Sequence, residues 1–78
     1  MADGVFEAVA ACVVDVLQVP TGKVVEEAVF TEDLGATSLT LVEVVMALEE
    51  AFGIDVPEAD VEAVRTVGDA CDLVRRLS

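Results

Sequence analysis

Ser38 is the residue whose type and position are best suited to chemistry. It lies in the run Asp33-Leu34-Gly35-Ala36-Thr37-Ser38-Leu39, where a loop turns into an acidic helix. A hydroxyl at a helix start lies beside unpaired backbone N–H groups and the positive end of the helix dipole, which favours a phosphate ester. The chain contains no histidine, so Ser38 lacks the usual base of a serine nucleophile. The simplest chemical role left for Ser38 is to be modified, although local physics alone favours an ordinary serine at a helix start.

A second group of side chains, four closely spaced carboxylates, resembles a calcium loop: Asp55, Glu58, Asp60 and Glu62. The spacing lacks the glycine and the terminal ligand of an EF-hand, and Pro57 interrupts it. We predict no specific metal site there. The two cysteines, Cys12 and Cys71, fall on apolar helix faces, which predicts buried free thiols instead of a redox pair.

Composition and charge limit the possible partners. The 78 residues suit one small domain spanning residues 1–78, and a hydrophobic fraction of 55% excludes disorder. Sixteen acidic residues against four basic ones give a net charge of −12. This charge argues against nucleic acid and anionic membranes as partners, since both are polyanions. It favours protein partners with basic patches, and we expect a monomer.

The apolar stretch from Val5 to Leu17 could be mistaken for a signal peptide. No Lys or Arg precedes it, and Glu7 and Asp15 interrupt it. No segment approaches the roughly 20 apolar residues of a membrane span. Two cysteines are also too few for a secreted disulfide scaffold. These features together predict a cytoplasmic location.

Hydrophobic periodicity predicts the elements that position Ser38. An amphipathic helix from Gly4 to about Val19 has Asp3 as its N-cap, and Pro20 with Gly22 ends it. A loop over residues 18–37 follows, which apolar side chains pin onto the bundle: Val24, Val25, Val29, Phe30 and Leu34.

Three further helices complete the prediction. The second helix runs from Ser38 to Phe52 and stops at Gly53, and a short helical piece covers Pro57 to Glu62. Thr66-Val67-Gly68-Asp69 is typical of a capping box that opens the last helix. The predicted fold is all-α, a small antiparallel bundle of three main helices plus one short helix, with a long loop between helices 1 and 2.

The second helix has two apolar faces on a helical wheel. The first is the predicted core face: Leu41, Val44, Val45, Leu48 and Phe52. The opposite face carries Leu39, Glu43, Met46, Ala47 and Glu50. Its apolar centre and acidic rim suggest a docking surface, while burial of Leu39 and Met46 beneath the long loop is the alternative.

The residues around Ser38 also resemble a known family. The run from Phe30 to Leu39, followed by Val42-Glu43, Met46-Ala47-Leu48-Glu49-Glu50 and Phe52-Gly53-Ile54, resembles the bacterial acyl carrier proteins of the discrete, type II kind. Val56-Pro57 and Thr66-Val67-Gly68-Asp69 fit the same pattern. The likeness extends from about Asp3 to Leu77, which is nearly the whole chain.

This resemblance implies that Ser38 carries 4′-phosphopantetheine, attached by a phosphopantetheinyl transferase that uses coenzyme A. The arm would hold acyl groups as thioesters and present them to acyltransferases, ketosynthases or ligases with basic docking patches. Six residues match the family's partner-binding helix: Leu39, Glu43, Met46, Ala47, Glu49 and Glu50. The carrier's own groups would perform no bond chemistry, so the resemblance implies a protein that is not an enzyme.

Two residues depart from the family pattern. Members commonly have Asp-Ser-Leu-Asp where this chain has Thr37-Ser38-Leu39-Thr40. Thr37 can still cap the helix, but negative charge is lost beside the serine, where modifying enzymes dock. We therefore expect a discrete carrier of a polyketide or other specialised pathway. A general fatty-acid carrier and an unmodified acidic interaction module of the same fold stay open as alternatives. Direct catalysis by Ser38 is disfavoured, because the chain has no histidine.

Overall fold

The computed structural model describes residues 4–78, which form four α-helices and one short 3₁₀ helix. The elements are α1 (Val5–Leu17), the 3₁₀ helix (Thr21–Lys23), α2 (Ser38–Phe52), α3 (Glu58–Ala63) and α4 (Val67–Leu77). Residues 4–78 contain no strand beyond an isolated antiparallel bridge between Val29 and Thr66. The predicted all-α bundle with one short helix is confirmed, whereas the 3₁₀ helix was not predicted.

The first helix, α1, forms the centre of the bundle and packs against both α2 and α4. Its buried residues are Val9, Ala10 and Val13. The helix ends at Leu17, two residues before the predicted end, because Gln18 adopts the left-handed conformation with φ 56° and ψ 46°. Gly4 occupies the N-cap position with φ 79°. The predicted cap, Asp3, lies outside the described residues.

The long loop between α1 and α2 is packed onto the core by five buried side chains: Val24, Ala28, Phe30, Leu34 and Ala36. Val25 was expected to pin this loop, but its side chain is 46% exposed, so that prediction is wrong. The chain turns here, and the Ala28 N–H donates to the Val25 carbonyl at 3.0 Å. This turn directs Val24 and Ala28 inward and leaves Val25 on the outside.

Backbone hydrogen bonds tie the same loop to the start of α4. Three N–H groups donate across this contact: Phe30 to the Arg65 carbonyl at 2.9 Å, Val67 to Ala28 at 3.0 Å and Gly68 to Glu26 at 2.9 Å. A loop of this length carries many backbone polar groups that need partners. The contact with α4 supplies several of them, and it fixes the chain that leads to Ser38.

Local signals set the ends of α2 and the start of α4 where the sequence predicts them. Gly53 follows α2 in the left-handed conformation with φ 64°. In α4, the Asp69 N–H donates to Thr66 Oγ1 at 3.0 Å, and Asp69 Oδ2 accepts from the Thr66 N–H at 3.1 Å. The backbone N–H groups of Thr66 and Arg65 lower the pKa of the Asp69 carboxyl, because they stabilise its charged form.

Within residues 4–78, no helix has the length and apolar character that crossing a membrane requires.

Candidate functional site

A reciprocal capping box starts α2. Thr37 has an extended backbone, with φ −96° and ψ 173°, and its Oγ1 accepts a hydrogen bond from the Thr40 N–H at 3.2 Å. Thr40 Oγ1 accepts in return from the Thr37 N–H at 2.8 Å. The sequence predicted Thr37 as the cap, but the return bond from Thr40 was not anticipated. The two threonines thus cap the helix without adding charge.

Ser38 is the first residue of α2, and it is exposed. The capping box uses the N–H groups of Thr37 and Thr40, so the N–H groups of Ser38 and Leu39 have no acceptor within the helix. The first turn contains no acidic residue. This helix start fits a phosphate ester on Ser38, because the hydroxyl is accessible and two N–H donors are unused. The negative charge of the phosphate would lie beside these donors and away from any carboxylate of the first turn.

Buried residues hold the chain that leads into this helix start. Leu34 and Ala36 are 5% and 6% exposed, and the Ala36 N–H donates to the Phe30 carbonyl at 2.9 Å. Gly35 between them has φ 69°, a left-handed conformation that favours glycine. The backbone two residues before Ser38 is therefore fixed to the core, while Ser38 itself faces outward.

An open groove of about 480 Å³ lies between α2 and α3 and includes Ser38. Its apolar lining consists of Leu41, Val42, Val45, Met46, Val56 and Val61. Three carboxylates also line it, at Glu49, Glu58 and Glu62. Other hollows on the surface, such as the one between Phe6 on α1 and Thr21 in the 3₁₀ helix, do not include Ser38. The groove therefore joins an exposed hydroxyl to a mostly apolar channel.

The outer face of α2 is exposed, as a docking surface requires. The side chains of Leu39 and Met46 are 67% and 60% exposed, so the long loop does not bury them. Glu43 and Glu50 are exposed on the same face. Val42, 44% exposed, adds a third apolar group that the sequence reading left off this face. Its spacing from Leu39 and Met46, at three and four residues, was the signal that could have identified it.

Two of the six residues predicted to bind partners, Ala47 and Glu49, are not fully exposed on this face. Ala47 is half-buried. Glu49 is half-buried as well, and it turns toward the groove, where its Oε2 accepts a hydrogen bond from the Val56 N–H at 2.9 Å. The structure therefore places Leu39, Glu43, Met46 and Glu50 on one open surface. Met46 and Glu49 also line the groove, so the surface and the groove share an edge.

The opposite wall of the groove was not predicted. It is formed by Val56 and Val61, together with Glu58 and Glu62. The sequence predicts only a short helical piece here, because its apolar residues are too few to show a period. Only the position of α3 across the groove from α2 brings them opposite Ser38.

The remaining chemical candidates lie apart from this site. Within the part of the chain that the structure describes, no group of three or more Cys, Asp or Glu side chains is arranged to hold a metal ion. Cys12 and Cys71 are free thiols, as predicted. Cys71 is buried, but Cys12 is only half-buried, so the predicted burial of Cys12 is wrong. Burial, with a smaller effect of the nearby Asp15 carboxylate, raises the pKa of the Cys12 thiol.

Comparisons with known proteins point to one family. A family model described as a phosphopantetheine attachment site matches residues 7–74. An acyl carrier protein of Thermosynechococcus vestitus is 49% identical over 70 residues, which cover 90% of this chain and 86% of that protein. An acyl carrier protein of a Sulfurovum species is 47% identical over 72 residues, which cover 92% and 96%. The crystal structure of an acyl carrier protein from Thermotoga maritima aligns with a TM-score of 0.77 at 26% identity, over 99% of this chain and 94% of that one.

Proposed function

The chain belongs to the acyl carrier proteins, and we propose that Ser38 is the residue to which its 4′-phosphopantetheine is attached. Acyl carrier proteins are carriers and not enzymes, and the group they bear covalently is 4′-phosphopantetheine. Their role implies interaction with biosynthetic enzymes. We propose that residues 1–78 form one carrier domain, which acts as a monomer.

One observation carries the assignment of the attachment site. Ser38 is exposed at the first position of a capped, uncharged helix start, and it opens onto a mostly apolar groove. When bound, the arm supplies a terminal thiol that holds acyl groups as thioesters. The N–H groups of Ser38 and Leu39 stabilise the phosphate charge, and the groove shields apolar cargo from water. During attachment the Ser38 hydroxyl displaces 3′,5′-ADP from the diphosphate of coenzyme A, and a base of the transferase accepts the hydroxyl proton, since this chain has no histidine.

Incubation with coenzyme A and a phosphopantetheinyl transferase tests this assignment. We expect the intact mass to rise by one arm, on the peptide that contains Ser38, and Ser38→Ala to stay unmodified. A matched control is Ser78→Ala, which removes the other serine of the chain and should be modified like the parent. Modification of Ser38→Ala would contradict the assignment, and so would failure of every transferase tested.

We further propose that the carrier serves a polyketide or other specialised pathway and not general fatty-acid synthesis. The support is the uncharged first turn of α2, where Thr37 and Thr40 flank the serine and cap the helix. Enzymes whose basic residues bind negative charge at this end of the helix would bind this surface weakly, because the charge is absent. Suitable partners have basic residues that reach Glu43 and Glu50 and an apolar contact for Leu39 and Met46.

Two substitutions that add charge without removing the caps test this pathway proposal. Thr40→Asp gives α2 the same Thr–Asp capping pair that Thr66 and Asp69 form in α4, and Thr37→Asp adds another residue favoured at N-caps. Each new aspartate could form one ion pair with a basic residue of the docking enzyme. If each pair contributes roughly 0.7 kcal/mol to docking, the double variant should react about tenfold faster with fatty-acid-synthesis enzymes than the parent. Parent activity with those enzymes equal to that of the double variant would favour the general fatty-acid carrier.

We also propose a cytoplasmic location. The two free thiols, Cys12 and Cys71, suit a reducing compartment.

A further inference from the structure

Glu49 holds the connection between α2 and α3 at two points. Its backbone carbonyl accepts from the Ile54 N–H at 3.1 Å, and its carboxylate accepts from the Val56 N–H at 2.9 Å. Ile54 is 9% exposed, so burial also anchors the first point. The second point depends on the side chain of Glu49 alone. This hydrogen bond is partly shielded from water, which strengthens it relative to a bond at the surface.

Val56 connects this hydrogen bond to the wall of the groove. Its half-buried side chain lines the groove opposite α2, and the next residue, Pro57, is the N-cap of α3. Glu49 lies eleven residues after Ser38 on the same side of α2, which places it about 16 Å along the helix. The hydrogen bond therefore fixes the end of the groove that lies farthest from Ser38.

The third helix has few other attachments. None of its six residues is buried. An ion pair joins Asp60 Oδ1 to Arg76 Nη2 of α4 at 3.3 Å, but the arginine side chain is 60% exposed and such pairs contribute little. Val64, 8% exposed, anchors the chain just after the helix. At its start, α3 is held by the bond from Glu49 to Val56 and by packing of the half-buried Val56 side chain against the core.

We propose that Glu49 is a positioning residue, whose carboxylate sets the position of the α3 wall and so the width of the groove that receives the cargo. The link to cargo rests on the proposed function, whereas the hold on Val56 does not. This role differs from the docking role that the sequence predicted for Glu49. Docking needs the negative charge, but positioning needs only a hydrogen-bond acceptor of the same length.

Three variants separate the two roles. Glu49→Gln removes the charge and keeps an oxygen that can accept from Val56, whereas Glu49→Ala removes both. Glu50→Ala removes a neighbouring charge from a residue that does not line the groove. The first readout is amide hydrogen exchange of the unmodified protein. We expect Val56 exchange to be about tenfold faster in Glu49→Ala, within about twofold of the parent in Glu49→Gln, and unchanged in Glu50→Ala.

The amide of buried Val44 serves as the internal control, because it reports opening of the whole bundle. Val56 exchange that stays slow in Glu49→Ala would overturn the proposal. Equal acceleration of Val44 would also overturn it, since Glu49 would then act on global stability. Exchange in Glu49→Gln as fast as in Glu49→Ala would show that the charge matters and not the acceptor, which overturns it as well.

The second readout concerns cargo. A solvatochromic acyl probe on the arm should emit at longer wavelength in Glu49→Ala than in the parent, and Glu49→Gln should match the parent. Unchanged emission alongside faster Val56 exchange would overturn the link to cargo. The exchange measurement uses protein without an arm, so failure of the Ser38 assignment and failure of the positioning role give different results.

Discussion

Thr37→Ala should lower the free energy of unfolding by about 1 kcal/mol, because it removes half of the capping box that starts α2. The Thr40 N–H loses its acceptor at 3.2 Å, while the Thr40 hydroxyl can still accept from the N–H of residue 37. Both residues lie at the surface, so water replaces part of what is lost. The effect should therefore stay near the middle of the range for N-cap deletions.

For a domain of this size, a loss of 1 kcal/mol corresponds to a fall in Tm of roughly 4–8 °C. Thermal and urea unfolding followed by far-UV circular dichroism, at one fixed salt concentration, measures both quantities. The matched control is Thr31→Ala, an exposed threonine that caps no helix. Its effect should stay within about 0.5 kcal/mol.

A charged cap gives the sharper test of this reasoning. Asp is as good an N-cap as Ser, and its charge interacts favourably with the helix dipole. Thr37→Asp should therefore regain most of the stability that Thr37→Ala loses. Thr37→Asp as unstable as Thr37→Ala would refute the reasoning, and so would Thr37→Ala as stable as the Thr31→Ala control.

Three further predictions concern the rest of the fold. Gly68→Ala gains up to about 1 kcal/mol in helix propensity within α4, but the added Cβ would lie 3.2 Å from the Glu26 carbonyl oxygen. Because the Gly68 N–H holds that carbonyl, we expect the crowding to outweigh the gain, so that Gly68→Ala lowers the free energy of unfolding. Gly22→Ala, with nothing within 4 Å, is the control in the same urea titration. Asp69→Asn should make the free energy of unfolding fall less steeply as the pH is lowered, measured by urea unfolding over about pH 1–5. The pKa of Asp69 is lowered by folding, so its contribution is present above its ordinary pKa of 3.8 and is lost as the pH falls through the lower folded value. Finally, Tm should rise with NaCl or MgCl₂, because a net charge of −12 repels strongly when screening is weak; a Tm independent of salt would contradict this.

Comparison with a control would contradict the predictions for Gly68→Ala and Asp69→Asn in the following cases. If Gly68→Ala is as stable as Gly22→Ala, the carbonyl of Glu26 yields and the close approach has no energetic effect. If Asp69→Asn keeps the same acid limb as the parent, the hydrogen bonds from Thr66 and Arg65 do not stabilise the charged carboxyl in solution.

The elements with local signals could be predicted from the sequence. Residues that mark the ends of α2 and the start of α4 act through their own backbone neighbours: Thr37, Gly53, Thr66 and Asp69. Such contacts span three or four residues, so sequence patterns contain them. The place of Ser38 at a helix start drew attention to it, whereas its prediction as the attachment residue came from the family resemblance of the surrounding run.

The parts that depend on distant contacts could not be predicted. The bridge from Val29 to Thr66 joins positions 37 residues apart in sequence, and it decides how the long loop lies. The exposure of Val25 follows from a turn in that loop. In the site, the bond from Glu49 to Val56 needs the path of the α2–α3 connection, which hydrophobic periodicity does not specify.

The intact mass of the protein purified from its own host tests the central claim most directly. We predict a mass above that of the bare chain by one 4′-phosphopantetheine arm, with or without an acyl group, located on the peptide that contains Ser38. The acyl part of that mass would identify the cargo and so the pathway. A bare-chain mass, or an arm on any residue other than Ser38, would contradict the account.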